Sequence, residues 1–273
     1  MNQYTKIKEA TDFLQSYNSG KATVGVVLGS GLGNFVQEIE VQHEIAYDTI
    51  PHFPVSTVEG HSGKLIFGSI AGKPIIAMAG RFHFYEGYAP VEVVFPIRVL
   101  KELGVETLFL SNAAGGVDTS FQVGDLMIIT DHISFATVNP LLGANDDRLG
   151  PRFPDMSEPY KKELIERAKA IGSKLGISLK EGVYFGVTGP TFETRAEYRM
   201  IKTLGGSAVG MSTVQEVIVA VHAGMDVFAM SVITDIGIRN EENIITHEEV
   251  LQAAKDAEPK FSAIFRELIA SLD

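Results

Sequence analysis

Cysteine is absent from the 273-residue chain, and so are long apolar runs. Without cysteine there can be no disulfide, no thiolate metal ligand and no cysteine nucleophile. Because no stretch approaches the roughly 18 apolar residues of a membrane span, the sequence predicts no membrane partner. The polar start MNQYTKIKEATDF lacks the apolar core of a secretion signal, which favours a cytoplasmic location.

Basic residues are also scarce, since 23 Lys and Arg stand against 34 Asp and Glu for a net charge of -11. This acidic balance argues against a nucleic-acid partner. The acidic net charge is compatible with a small anionic substrate, because a pocket can be locally basic. With 45% hydrophobic and 21% charged residues, the composition is that of a folded globular protein. No repeat or Ser/Pro-rich linker divides the chain, so we expect a single domain over residues 1–273.

Short apolar runs alternate with amphipathic segments. The run Val24–Leu28 (VGVVL) is wholly apolar, which is typical of a strand covered on both faces. Further strands are predicted at 64–67, 74–79, 107–111, 126–130, 183–187 and 226–233. Helices are predicted at 3–17, 91–103, 160–175, 195–204, 214–223 and 247–268, the last three each opened by a Thr-x-x-Glu capping box. The alternation predicts an α/β fold with a largely parallel central sheet flanked by helices.

Gly29-Ser30-Gly31-Leu32-Gly33 follows the first strand and could offer backbone N–H groups to an anion. Asn34 breaks the dinucleotide fingerprint, and the lysine of a Walker loop is absent. A tight turn without a ligand explains the motif equally well.

The segment from Gly80 to Tyr88 (GRFHFYEGY) is rich in polar and aromatic side chains and follows another apolar strand. In an extended conformation Arg81, His83 and Tyr85 share one face, and Phe82, Phe84 and Glu86 share the other. An arginine offers two parallel donors to phosphate oxygens, so we favour an anion site here over a solvated edge strand.

Small or polar residues recur at other predicted strand ends and helix starts, where ligands commonly bind in α/β folds. Phe192 offers a stacking face, and Glu193 is either a binding carboxylate or a helix-dipole partner. The remaining candidates are His61 between glycines, the 111–116 segment SNAAGG, Met211-Ser212 before a helix, Asp235 at a strand end, and His247 in the last capping box. Metal-ligand spacings such as H-E-x-x-H are missing, so we expect no metal and no cofactor.

In this order the motifs resemble the trimeric, low-molecular-mass class of purine nucleoside phosphorylases. The matching segments are VVLGSGLG, EGHSGKL, GRFHFYEGY, SNAAGG, NDDR with RFPDM, GPTFETRAEYR, VGMSTVQEVIVA and THEEV. The resemblance implies one domain with a twisted, mixed, mostly parallel sheet and a homotrimer. It also implies phosphorolysis of purine (deoxy)ribonucleosides to free purine and (deoxy)ribose 1-phosphate, with inorganic phosphate as co-substrate.

The resemblance further assigns roles to single residues of this chain. Phosphate would be held by Ser30, His61, Arg81, His83, Ser212 and the backbone N–H of Ala113. Ribose would be held by Tyr85, Met211, His247 and Phe153, the last reaching in from a neighbouring subunit. The base would meet Phe192, Glu193 and Asp235, and the catalytic residues would be His83, Glu193 and Asp235.

Asp235 departs from the family pattern, because members that prefer 6-oxopurines commonly carry Asn there. An Asn amide can donate to purine N7, whereas an ionised Asp only accepts. Either Asp235 is protonated beside Glu193 and acts as a general acid toward N7, or it is ionised and accepts from the 6-amino group of adenine. We expect inosine and guanosine to be favoured, with adenosine less disfavoured than usual.

Alternative functions remain at this stage. A 5′-methylthioadenosine phosphorylase would also suit an acid near Asp235, but Glu193 fits a 6-oxopurine and His247 fits a free 5′-hydroxyl. A dinucleotide-dependent oxidoreductase would rest on the imperfect glycine motif alone. A catalytically silent nucleoside-binding protein would not need the complete set of phosphate-binding groups.

Overall fold

A computed structural model describes residues 2–55, 62–238 and 246–272. Its strands are β1 (Val24–Leu28), β2 (Glu40–Ala46), β3 (Lys64–Ile70), β4 (Lys73–Ala79), β5 (Thr107–Gly116), β6 (Leu126–Ile133), β7 (Leu179–Gly186), β8 (Ala208–Gly210) and β9 (Asp226–Ile236). Its helices are α1 (Gln3–Leu14), α2 (Pro90–Val93), α3 (Phe95–Glu102), α4 (Lys162–Leu175), α5 (Arg195–Thr203), α6 (Val214–His222) and α7 (His247–Ala270).

The strands form one mixed sheet in the order β2-β3-β4-β1-β5-β8-β7-β6-β9. Strand β9 also pairs with β5, so β5, β8, β7, β6 and β9 close on themselves as a barrel. Strands β1, β4, β3 and β2 extend from β5 in that order as the open part of the sheet. Within the described part of the chain, five of the nine strand pairings are parallel. The predicted α/β class with a mostly parallel sheet is thereby confirmed.

Strands β1, β4, β5 and β9 are mutually parallel, so their carboxyl ends meet at one edge of the sheet. The register places Leu28 opposite Ala79. Ser30 and Arg81, two residues further along each strand, therefore emerge side by side. This edge is where ligands are expected in α/β sheets.

Helix α7 packs on the sheet through aromatic contacts. The Phe265 ring lies 5.6 Å from Phe109 on β5 and 5.8 Å from Phe228 on β9 (centroid distances). Phe35 joins this cluster at 5.9 Å from Phe265. These buried rings fix the direction of α7 and bring its first residue, His247, to the carboxyl edge of the sheet.

The structure differs from the sequence prediction in several elements. Strand β2 was not predicted because it is almost entirely exposed and polar, and β8 was not predicted because it has only three residues. The predicted helix 91–103 is divided at Val94, just ahead of Pro96, into α2 and α3. In the described ranges, no helix combines the length and apolarity needed to cross a bilayer.

Candidate active site

A cleft opens at the carboxyl edge of the sheet. Strands β1, β4, β5, β8 and β9, the loop before α5 and the start of α7 all contribute to its wall. Its lining includes Ser30, Arg81, His83, Tyr85, Ala113, Phe192, Glu193, Met211, Ser212, Asp235 and His247. These are all the residues for which the sequence analysis predicted a binding or catalytic role, except two: His61 lies outside the described residues, and Phe153 lies in the loop between β6 and α4.

Ser30, Arg81, His83 and Ser212 come from four separate segments and converge on this one cleft. Two hydroxyls, a guanidinium and an imidazole thus face the same space, beside the backbone of Ala113. This donor set suits a small oxyanion. The convergence is the geometric condition that a shared phosphate site requires.

Arg81 is held by the buried carboxylate of Glu216, for which the sequence predicts a helix-capping role. Its side chain is 1% exposed, and its Nε and Nη2 donate to the two oxygens of Glu216 at 3.2 and 2.8 Å. Its Nη1 donates to the Ser111 carbonyl and, at 3.5 Å, to Ser212 Oγ. Glu216 therefore orients the guanidinium and neutralises its charge inside the protein.

The predicted capping box at Thr213 and Glu216 is wrong, because Glu216 pairs with Arg81. Thr213 makes no side-chain cap on α6 and has a φ of +70°, a left-handed conformation unusual for a β-branched residue. Its Oγ1 instead accepts from Asn112 Nδ2 at 2.8 Å and lies 3.1 Å from Ser212 Oγ. The strained backbone thus lies beside the Ser212 hydroxyl. The capping boxes at Thr194 and Thr246 are confirmed.

His83 is buried and linked to a second carboxylate. The segment after it is a 3₁₀ turn rather than an extended strand, so Glu86 turns back and places Oε1 3.1 Å from His83 Nδ1. The extended-chain prediction, which put Glu86 on the opposite face, is wrong for this reason. Burial lowers the pKa of the His83 imidazole, and the Glu86 hydrogen bond opposes that shift. The carboxylate fixes the ring, which also stacks on Tyr85 at 4.7 Å.

Glu193, Tyr198 and Asp235 also line the cleft. Burial raises the pKa of the Glu193 carboxyl above its ordinary value, and the charge of Asp235 adds to the rise. Tyr198 Oη donates to Asp235 Oδ2 at 3.3 Å. Thr234 Oγ1 donates to the other Asp235 oxygen at 3.2 Å.

Phe153 does not line this cleft. Its side chain is 85% exposed and borders a separate surface depression with His132 and Arg152. The residue is therefore available to another molecule but makes no contribution to the site of its own chain.

The sequence assigned no part in the site to five of its polar residues: Glu86, Asn112, Tyr198, Thr213 and Glu216. Glu86 reaches His83 only through the local 3₁₀ turn. The others act through contacts between distant segments, as Arg81 and Glu216 do across 135 residues, and local patterns carry no signal for such pairs. In the described ranges, no group of three or more His, Asp or Glu side chains is arranged to hold a metal ion.

Comparison with known proteins agrees with this geometry. Residues 23–270 match the phosphorylase superfamily. Purine nucleoside phosphorylase 1 of Geobacillus stearothermophilus is 48% identical over 268 residues, which cover 98% of each chain. The chain belongs to the purine nucleoside phosphorylase family, whose members are pentosyltransferases.

Solved structures of relatives share the whole fold. One is isoform 2 of the Schistosoma mansoni purine nucleoside phosphorylase, which was solved with cytosine and ribose 1-phosphate. It superposes with a TM-score of 0.94 at 41% sequence identity, and the match covers 99% of this chain and 97% of the other. The Schistosoma mansoni enzyme solved with adenosine has a TM-score of 0.93 at 38% identity, covering 98% and 97%.

Proposed function

We propose that this chain phosphorolyses purine nucleosides in the cleft, with 6-oxopurine nucleosides favoured and adenosine also accepted. The observation that carries the proposal is the convergence of Ser30, Arg81, His83 and Ser212 at one end of a cleft whose other end holds two carboxyl groups. The same lining includes Tyr85, Met211 and His247, which are proposed to hold the sugar. The family membership supports the same reaction.

The chemistry needs little beyond positioning. When the glycosidic bond breaks, its electron pair goes to the purine N9 and the sugar becomes oxocarbenium-like. Phosphate held by Arg81 and the Ser30 and Ser212 hydroxyls stabilises that cation and forms the new bond to the anomeric carbon. Tyr85, Met211 and His247 hold the ribose between them, with His247 toward the 5′-hydroxyl.

The leaving purine is met by Phe192 and by the two carboxyl groups. Ionised Glu193 accepts the N1–H of hypoxanthine or guanine, and protonated Asp235 gives its proton to N7, which neutralises the departing base. The hydrogen phosphate that enters the reaction supplies one proton, so the carboxyl group is restored in each turnover. Ionised Asp235 accepts instead from the 6-amino group of adenine.

A nucleoside panel with and without phosphate tests the reaction. We expect phosphate-dependent release of purine from inosine and guanosine, and slower release from adenosine. Turnover of 5′-methylthioadenosine far above that of inosine would favour the alternative phosphorylase. Asp235→Asn should lower the adenosine rate relative to inosine, and an adenosine rate unchanged by that substitution would refute the role of Asp235 in base choice.

Glu193→Ala tests the base site directly. We expect kcat/KM for inosine to fall about 100-fold, because a hydrogen bond to a charged group is lost at the reacting base. Glu197→Ala is the matched control, since that carboxylate lies four residues on, caps α5 and does not line the cleft. Near-wild-type activity of Glu193→Ala would remove Glu193 from the base site.

The working form that we propose is a cytoplasmic homotrimer without a cofactor. The exposure of Phe153 supports this assembly, because a phenylalanine so open to solvent is suited to fill a neighbour's site. His61, for which the structure gives no description, is proposed to close over phosphate on the strength of the family resemblance.

A further inference from the structure

Thr213 is a buried residue next to Ser212, and neither the sequence motifs nor the family resemblance gives it a part in binding. Its Oγ1 lies 3.1 Å from Ser212 Oγ. The buried Asn112 side chain donates from Nδ2 to the same Thr213 oxygen at 2.8 Å. The three side chains thus form a short row of hydrogen bonds that ends at the Ser212 hydroxyl in the cleft.

The backbone at Thr213 adopts a rare conformation. Its φ is +70° and its ψ is -51°, and the Val214 N–H donates to the Ser212 carbonyl across it at 2.7 Å. These angles and this bond define a γ-turn with positive φ, which is strained for any residue and more so for a β-branched one. An ordinary threonine at this position would cap α6 with its hydroxyl. Here the hydroxyl contacts Asn112 and Ser212 instead, and strain of this kind persists where the surrounding structure fixes it.

The direction of each hydrogen bond follows from the donors and acceptors present. The Asn112 amide nitrogen can only donate, so Thr213 Oγ1 accepts from it. In the described ranges, Ser212 Oγ is the one further hydrogen-bond partner of Thr213 Oγ1. If Ser212 donated to Thr213, the buried Thr213 proton would have no acceptor, which is costly. Thr213 therefore donates to Ser212.

This direction determines what Ser212 offers to a ligand. A serine hydroxyl has two acceptor positions and one proton. Thr213 fills one acceptor position, and Arg81 Nη1 donates to the Ser212 oxygen as well, over a longer distance of 3.5 Å. Because Ser212 lines the cleft, its own proton is left to face an anion there. Hydrogen bonds in a row polarise one another, which strengthens this last donation.

We propose that Thr213 is a positioning residue of the anion site, which together with Asn112 fixes the Ser212 hydroxyl as a hydrogen-bond donor to phosphate. This inference rests on the proposed nucleoside phosphorolysis and names how the same cleft binds its co-substrate. A hydroxyl fixed as a donor suits the unprotonated oxygens of phosphate. Without the Thr213 hydroxyl, the Ser212 hydroxyl is free to rotate and to present a lone pair to those oxygens.

Three substitutions at this position separate the hydroxyl from the shape of the side chain. Thr213→Val removes the hydroxyl and keeps the branched shape. Thr213→Ala makes the same deletion with less bulk in the strained turn, and Thr213→Ser retains the hydroxyl. Thr11→Val is the matched control, because it removes a buried threonine hydroxyl that donates to the Ile7 carbonyl outside the cleft.

The test measures phosphate binding separately from turnover. Isothermal titration calorimetry gives the dissociation constant of inorganic phosphate for each variant. Steady-state release of hypoxanthine gives KM for phosphate and KM for inosine, each at saturation of the other substrate. Urea unfolding establishes that each variant is folded under the conditions of the assay.

We expect Thr213→Val and Thr213→Ala to raise the dissociation constant and KM for phosphate about tenfold, the size of effect that one hydrogen bond to a charged group has. KM for inosine should change less than about twofold, because the sugar and the base do not contact Thr213. Thr213→Ser should keep the wild-type constants, since it retains the hydroxyl. Thr11→Val should also leave them as in the wild type.

A double-mutant cycle with Ser212 shows whether Thr213 acts through that residue. Ser212→Ala should weaken phosphate binding about tenfold by itself. Adding Thr213→Val to Ser212→Ala should weaken it less than about twofold further, because the donor that Thr213 positions is already gone.

Phosphate constants that stay unchanged or fall in Thr213→Val would overturn the inference, because Ser212 would then not depend on Thr213 to donate. An equal rise in KM for inosine, or an equally large effect in the Ser212→Ala background, would assign Thr213 a structural role and overturn it as well. Wild-type protein that binds phosphate but releases no purine from inosine would instead refute the proposed function. The dissociation constants of phosphate would still decide the role of Thr213 in that case.

Discussion

The buried ion pair between Arg81 and Glu216 allows a quantitative prediction. Its Nη2–Oε2 distance is 2.8 Å with side chains 1% and 4% exposed. The surface pair of Lys64 and Glu44 is as short, at 2.7 Å, but its side chains are 44% and 40% exposed. Since the distances are similar, the two pairs differ in burial and in the number of hydrogen bonds, two for Arg81 and one for Lys64. Both differences make the Glu216 carboxylate the more important one for the stability of the fold.

Glu216→Gln removes the charge with little change in shape and leaves the guanidinium buried without its counter-charge. Breaking a buried pair in this way destabilises a protein by about 3–5 kcal/mol. Glu44→Gln should cost less than about 1 kcal/mol, because an exposed pair is screened by water. Phosphate should partly restore the stability of Glu216→Gln, since an anion bound in the cleft would supply negative charge beside Arg81.

Urea unfolding followed by far-UV circular dichroism measures both effects at one protein concentration, with and without phosphate. Sodium chloride at equal ionic strength controls for general screening. The reasoning is refuted if Glu216→Gln unfolds within about 1 kcal/mol of wild type in the absence of phosphate. A stabilisation by phosphate that equals the one by chloride would contradict the proximity of Arg81 to the anion site.

Three further outcomes are expected. Burial lowers the pKa of His83 and of His132 below the value in the unfolded chain, so the unfolded state binds these protons first as the pH falls. The free energy of unfolding should therefore decrease below about pH 6.5, by up to about 1 kcal/mol per histidine at pH 5.5. In urea titrations His132→Asn should show a smaller decrease, and a free energy of unfolding that rises toward pH 5.5 would contradict this. Phe153→Ala should change the free energy of unfolding by less than about 0.5 kcal/mol while raising the inosine KM about tenfold, and an unchanged KM would argue against its role in a neighbour's site. Gly237→Val should displace the ring of Tyr198, because a Cβ there would stand 2.0 Å from a ring carbon, and should destabilise the fold by about 1–3 kcal/mol in urea unfolding; stability equal to wild type would contradict this clash.

Much of the site could be read from local sequence because each segment carries its own chemistry. Arg81, His83 and Tyr85 stand within five positions after an apolar run, and all three line the cleft. The prediction that parallel strand ends gather such segments held because the parallel register of β1, β4, β5 and β9 brings those ends together. The prediction of an extended chain, which places Glu86 on the face opposite His83, is wrong because a 3₁₀ turn brings the Glu86 carboxylate to His83.

The α/β class follows from the sequence because buried parallel strands are apolar throughout, and most of the side chains that face the cleft follow from it because they stand directly after those strands. Which carboxylate pairs with which partner depends on contacts that form only in the folded chain. Thr213-x-x-Glu216 has the same spacing as two true capping boxes, yet Glu216 binds Arg81, because a buried guanidinium requires a counter-charge. Tyr198 likewise occupies one position on a face of an amphipathic helix in the sequence, and only the tertiary structure brings its hydroxyl to Asp235.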